Sequence, residues 1–288
     1  MRVTKRGTAQ VHRSAADRAP DPSHDRPAAH LIDPGDPLFD VIGGNAAKRR
    51  QVDAFLRALD ATLPERLPHQ PLRVVDLGCG NAYLTFAAYR YLAGRGLDVT
   101  LTGVDARKDH AARNSGLAER LGWAGRMRFV TGGIAESTVD GADVVLALHA
   151  CDTATDEALA RAVGWQAGWI LAATCCHHDI ALQLRRAPAT GAPHPPLVRD
   201  GVLRERFADV LTDTLRAALL RLHGYRVDVT EFVDSVHTPR NVLLRAVRTG
   251  TPPTEAQRAE YATLTAAWGV TPALGTLLCG SPVSRPGG

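Results

Sequence analysis

The chain has 288 residues, 45% of them apolar, which is enough for one large domain or two small ones and excludes a protein disordered throughout. Its 34 basic and 30 acidic residues leave a formal net charge of +4, too mild to argue for nucleic acid by itself. No apolar stretch approaches the roughly 20 residues that span a bilayer, and the basic N-terminus lacks the apolar run of a secretory signal. Five cysteines (Cys79, Cys151, Cys175, Cys176, Cys279) lack a disulfide-framework spacing. The expectation is a cytoplasmic protein with reduced thiols and no membrane partner.

Residues 1–40 are poor in periodic apolar positions and rich in Pro, Asp, Arg, His and Ala, so they read as a mobile arm. The arm carries Arg2, Lys5, Arg6, Arg13, Arg18 and Arg26, which fits a solvated tail or an arm that touches RNA. A helix is expected over 46–59, with Val52, Phe55, Leu56 and Leu59 on one face. Lys48, Arg49 and Arg50 crowd its first turns, where the helix dipole disfavours cations. That conflict hints at an anion nearby.

From Leu72 strand-like and helix-like runs alternate. Strands are expected at 72–76, 98–104, 127–131, 142–148 and 169–173, and helices at 82–93, 108–121, 153–163 and 203–222. This order predicts βαβ units and a parallel sheet. Residues 225–234 and 241–247 are two more strands, joined by Ser-Val-His-Thr-Pro-Arg. That link is too short for a parallel crossover, so the last strand should be antiparallel. The whole is an α/β, Rossmann-like domain over 41–248 with seven strands, mostly parallel. Residues 185–200 hold four prolines and read as a loop. Residues 249–288 form a C-terminal extension with a helix at 254–268 and an indistinct tail.

The run Arg73-Val-Val-Asp-Leu-Gly-Cys-Gly-Asn81 places a carboxylate, Asp76, at the carboxyl end of the first strand, followed by Gly78 and Gly80. Glycines there let a ligand approach the backbone closely, and the next helix start offers unpaired N–H groups. Asp105 ends the second strand, where a carboxylate can accept both hydroxyls of a ribose. A dinucleotide fingerprint would put a third glycine at position 83, which is Tyr83. Pyrophosphate needs that glycine; S-adenosylmethionine, which has no phosphate, does not. Asn81 and Tyr83 join the expected cofactor loop. A plainer reading has the glycines only turning the chain and Asp105 capping the next helix.

The fourth strand runs into His149-Ala-Cys-Asp-Thr-Ala-Thr-Asp156, and the fifth into Thr174-Cys-Cys-His-His178. Both clusters end neighbouring strands, so they should lie close together beside the reactive end of the cofactor. His149 and His177 are candidate proton acceptors, and Asp152 can act likewise, orient a histidine, or cap the helix beginning near Thr153. The Cys/His mixture invites zinc, but adjacent residues of an extended chain point opposite ways, so no metal is expected. His237-Thr-Pro-Arg-Asn241 links the last two strands as a rigid turn or a substrate contact.

These motifs together, with Lys48-Arg-Arg-Gln51 ahead of them, resemble bacterial class I S-adenosylmethionine-dependent methyltransferases that carry a Leu-His-Ala-Cys-Asp-Thr-Ala-Thr-Asp motif. That group is in turn similar to a tRNA ribose 2′-O-methyltransferase. The resemblance covers roughly 45–248. It implies S-adenosylmethionine on Asp76, Gly78 and Gly80, with Asp105 on the ribose. Gly133 stands where an acidic residue often meets the adenine, so backbone groups and Ile134 would hold that ring. The resemblance itself supplies no acceptor; RNA is expected from the distant tRNA relative, the Lys48–Arg50 cluster and the basic arm, with a small-molecule methyltransferase or a non-catalytic S-adenosylmethionine-binding protein as the alternatives.

Overall fold

The computed structural model describes residues 2–3, 9–10, 30–67, 71–148, 150–174, 177–186, 193–231 and 242–280. Within the first 30 residues, Arg2–Val3 and Ala9–Gln10 pair antiparallel. The expected arm over 1–40 ends earlier: Ile32, Leu38, Phe39 and Ile42 are buried, and α1 forms at Leu38–Ile42. The apolar residues of this stretch are few but nearly all used. Asp36 fixes them in place by accepting from Leu38 N at 2.9 Å and from Arg90 Nε at 2.9 Å.

Helix α2, Ala46–Asp60, buries the expected face of Val52, Phe55, Leu56 and Leu59. Asn45 caps it by accepting from Lys48 N at 2.8 Å. The sheet then assembles from β1 (Leu72–Leu77), β2 (Val99–Asp105), β3 (Met127–Thr131), β4 (Val144–Ala147), β5 (Trp169–Thr174), β6 (Tyr225–Glu231) and β7 (Val242–Arg248). The strand order is β3-β2-β1-β4-β5-β7-β6. Pairing is parallel from β3 through β5, and β7 runs antiparallel to both of its neighbours. This is the mostly parallel, seven-stranded Rossmann-like sheet with an antiparallel last strand. The order reverses between β1 and β4, and ligands of open α/β sheets bind at such a switch point, beyond the strand carboxyl ends.

Five of the six residues of β1 are buried, as a central strand covered on both faces requires. On one face α2, α3 (Tyr83–Gly94) and α4 (Lys108–Arg120) pack Phe55, Leu84, Phe86, Leu101 and Phe129 into one core. On the other, α5 (Thr153–Gly164) and α8 (Gly201–Leu222) pack Leu77, Val145, Leu159, Ile170 and Leu220. The proline-rich stretch holds a short helix, α7 (Pro196–Arg199), after α6 (His178–Arg186). In the extension, α9 (Glu255–Trp268) follows a Thr254/Gln257 capping box, as expected. The indistinct tail contains a further helix, α10 (Ala273–Gly280), whose Leu274 and Leu278 join the second core. Among the described residues no helix is long and apolar enough to cross a membrane.

Candidate active site

The register of β1 and β2 sets Asp76 beside Gly103 and Leu77 beside Val104, so the two strands end together. The loop after β1 is tied to β2 by its own backbone. Gly78 N and Cys79 N both donate to Val104 O, at 2.9 and 3.0 Å. Gly80 N donates to Asp105 Oδ2 at 2.8 Å. Gly78 has φ +77, and a Cβ there would meet Ala150 Cβ at 3.2 Å. Glycine is therefore required twice over at this position, by conformation and by contact. The same contact brings the loop against Ala150, within the first of the two clusters named from the sequence. Ala82 adopts φ +56 just before α3, a left-handed turn that sharpens the loop.

Asp76 is fully buried. Thr85 Oγ1 donates to its Oδ2 at 2.5 Å, while Oδ1 has no hydrogen-bond partner among the described residues. Burial pushes its carboxyl up to about 7; the Thr85 hydroxyl opposes that shift and the nearby Asp105 charge adds to it. An acceptor orphaned in a core is costly unless a ligand meets it. Burial also pushes the Cys79 thiol up, so Cys79 is an inert packing residue.

Asp105 does not cap α4. Its Oδ1 accepts from Arg107 N at 2.9 Å and lies 3.1 Å from His110 Nδ1, while Oδ2 holds Gly80. The carboxylate is thus preset at the strand end by the chain on both sides. Gly132 N donates to Asp105 O at 3.0 Å, which brings the start of the 132–134 turn beside it. Ile134 is buried, and a Cβ on Gly133 would meet Glu136 Oε2 at 3.1 Å. Asn114, fully buried on α4, donates to Gly80 O at 2.9 Å. Asn114 and Thr85 were not foreseen; the only sequence signal was a polar residue on the apolar face of each helix.

On the acceptor side, His149, Cys175, Cys176 and the 237–241 link lie outside the described residues. Asp152 is described and is not a helix cap: its side chain makes no cap bond. Instead Oδ1 accepts from Asp179 N at 3.1 Å, joining the end of β4 to the start of α6. Its backbone has φ +51, unusual for a non-glycine residue. Arg216 of α8 holds it there, donating from Nη2 to Asp152 O at 2.8 Å. Arg216 is itself buried and grips Asp156 through Nε and Nη2, at 2.9 and 2.8 Å.

His177 belongs to the same network. Nε2 lies 2.9 Å from Asp213 Oδ1. Nδ1 lies 2.9 Å from Asp209 Oδ1, at an ion-pair distance but not aligned as a hydrogen bond. Burial works against the charged ring, but Asp209 and Asp213 overcome it, and its pKa is raised. Thr174 Oγ1 donates to Asp213 Oδ2 at 3.0 Å. Asp213 and Arg216 sit inside a run read only as an amphipathic helix, and no motif marked them. Among the described residues no group of His, Cys, Asp and Glu has the arrangement of a metal site.

Residues 47–183, from α2 into α6, match a family model described as a methyltransferase domain. The matched segment takes in the loop at Asp76–Gly80 and Asp105. No curated protein is significantly similar to the chain. Solved structures resemble it distantly. A fibrillarin from Aeropyrum pernix, in complex with natively bound S-adenosyl-L-methionine, is 15% identical, covering 68% of this chain and 76% of its own at a TM-score of 0.39. An SAH-bound methyltransferase of Podospora anserina is 15% identical over 74% and 88% of the two chains, with a TM-score of 0.47. A tRNA (uracil-54, C5)-methyltransferase of Pyrococcus abyssi, in complex with S-adenosyl-L-homocysteine, is 17% identical over 68% and 38%, with a TM-score of 0.40.

Proposed function

We propose that the protein is an S-adenosylmethionine-dependent methyltransferase whose cofactor lies across the carboxyl ends of β1 and β2. The carrying observation is the loop at Asp76–Gly80 latched to Asp105, at the switch point of the sheet. Residues here fit the cofactor: the orphaned Oδ1 of buried Asp76 is matched to its ammonium, and Asp105 retains lone pairs for the ribose hydroxyls. Gly78, Gly80, Asn81 and Tyr83 shape the loop around its amino-acid end, and Gly133 and Ile134 border the adenine. When bound, the cofactor supplies an electrophilic methyl group on a sulfonium.

The chain's own part is to orient an acceptor and remove its proton. Asp152, half-buried and pinned by Arg216, is the proposed proton acceptor, with His149 beside it in sequence. His177, with a carboxylate 2.9 Å from each ring nitrogen, is engaged within the fold and serves to fix the end of β5. The domain takes in 41–248 together with the buried Ile32, Leu38 and Phe39 ahead of it, and α10 of the extension completes its core.

RNA is the proposed acceptor class, supported by the motif resemblance and the basic residues near the N-terminus. A small molecule is the second reading. It is favoured by a cavity of about 660 Å³ walled by Val210, Val229 and Val242, with His177 and Asp213 also lining it. Calorimetric titration with S-adenosylmethionine and S-adenosylhomocysteine tests the donor, and binding of neither refutes the proposal. Transfer of labelled methyl from the cofactor to RNA or to small-molecule fractions of the source cell then decides the acceptor. Gel retardation with total tRNA checks the RNA reading separately: no retention even at low salt removes it.

A further inference from the structure

The proposed function leaves the cations at the start of α2 unexplained. Arg49 lies over the Phe39 ring, 5.2 Å from its centroid, and Arg50 is exposed. Lys48 turns inward. Its Nζ donates to Ile42 O at 2.8 Å and sits 5.0 Å from the centroid of the Tyr83 ring, at the end of the cofactor loop. Arg113, on α4, reaches the same loop: its Nη1 donates to Asn81 O at 3.4 Å and to Asn114 Oδ1 at 3.3 Å. Two helices far apart in sequence thus each bring a cation to residues 81–83. Their recorded partners are neutral, and among the described residues no ion pair joins either cation to a carboxylate. Burial and the Arg113 charge both push the Lys48 pKa down, as expected for two cations facing one another with no counter-charge.

We propose that Lys48 and Arg113 receive the carboxylate at the amino-acid end of the cofactor. This rests on the S-adenosylmethionine reading above, and it gives that end a matched pair of contacts. Asp76 is the anion for the ammonium, and Lys48 with Arg113 are the cations for the carboxylate. Arg113 offers a planar fork and Lys48 a point charge, which its position over the Tyr83 ring restrains. The arrangement also resolves the conflict at α2: cations unfavourable beside a helix N-terminus become favourable once an anion sits between them.

The test is calorimetric titration of the full chain and of its Lys48→Met and Arg113→Met variants, with three probes. These are S-adenosylmethionine, its decarboxylated analogue (which keeps the sulfonium and the amine), and 5′-methylthioadenosine. The unaltered protein should prefer S-adenosylmethionine to the decarboxylated analogue by roughly tenfold or more, the scale of one charge-assisted contact. Each variant should lose most of that preference while binding 5′-methylthioadenosine as before, and Lys48→Arg should keep it. Variants that retain the full preference, or that weaken all three probes alike, overturn the assignment. So does a Lys48→Met variant that loses only RNA retention, which would make the anion a backbone phosphate. An unaltered protein that binds neither S-adenosylmethionine nor its decarboxylated analogue refutes the cofactor reading itself, a distinct result.

Discussion

Replacing Asp76 by Asn tests the buried carboxylate directly. Asp76 is fully buried, and its pKa rises from an ordinary 3.8 to about 7, roughly three units. At about 1.4 kcal/mol per unit, ionising it in the folded chain costs about 4 kcal/mol more than in the unfolded one. Because the folded value is the higher one, the associated stability is full below about pH 4 and is lost as pH rises through 7. Asn is neutral throughout and can still accept from Thr85 through Oδ1. The variant should therefore match the parent near pH 4 and exceed it by up to about 4 kcal/mol near pH 8, without cofactor. Urea unfolding at stepped pH reads this difference. The bound cofactor reverses the logic, since its ammonium favours the ionised carboxylate. Binding near pH 6.5 should release a proton, seen as a dependence of the binding heat on buffer ionisation enthalpy. Parallel stability profiles for parent and variant from pH 4 to 8 would refute this account of Asp76.

Three further outcomes follow. Asp105→Asn should weaken S-adenosylmethionine binding by about 1–3 kcal/mol, because charge-assisted bonds to the ribose and to Gly80 N become neutral ones; unchanged affinity by calorimetry removes Asp105 as the ribose ligand. Arg216→Met should destabilise the fold by about 3–5 kcal/mol, since Asp156 would be left buried without its cation and Asp213 would keep only His177 as an ion-pair partner among the described residues. Adding Asp156→Asn should return part of that loss, and a strictly additive double variant in chemical denaturation would show that the two do not act as a pair. Gly78→Ala should cost about 1–3 kcal/mol from backbone strain at φ +77 and the 3.2 Å approach to Ala150; a melting temperature equal to the parent's would show that the loop relaxes freely.

The sheet was legible because its strands are short apolar runs and its helices have a clear period. Asp76 and Asp105 were legible because each closes such a run. The tight turn after β1 was legible from Gly78 and Gly80, and both glycines are at positive φ. What escaped notice had no local signature. Asp213 and Arg216 lie three apart in a 22-residue helix, a spacing common on solvated faces, yet both are buried by contacts with α5 and β5 that are distant in sequence. Asp152 was expected either to cap the helix or to act at the acceptor, but no local pattern marked the reach of its side chain 27 residues onward to Asp179 N. The stretch over 31–40 looked mobile because sequence windows count apolar residues, whereas packing depends on where those few residues end up. Leu274 and Leu278 were missed for the same reason, lying in a helix of only eight residues.

The bond from Gly80 N to Asp105 Oδ2 bears on the timing of ligand capture as well as on affinity. A receptor whose loop is already fastened to its acidic anchor needs little ordering when a ligand arrives. Encounter should then be fast and nearly the same for any nucleoside that fits, and ligands should be distinguished by how long they stay. The donor and its demethylated product differ at the sulfur and hardly at the ribose. With Asp105 as the proposed ribose ligand, that contact is common to both, and exchange of one for the other between turnovers should be set by what surrounds the sulfur.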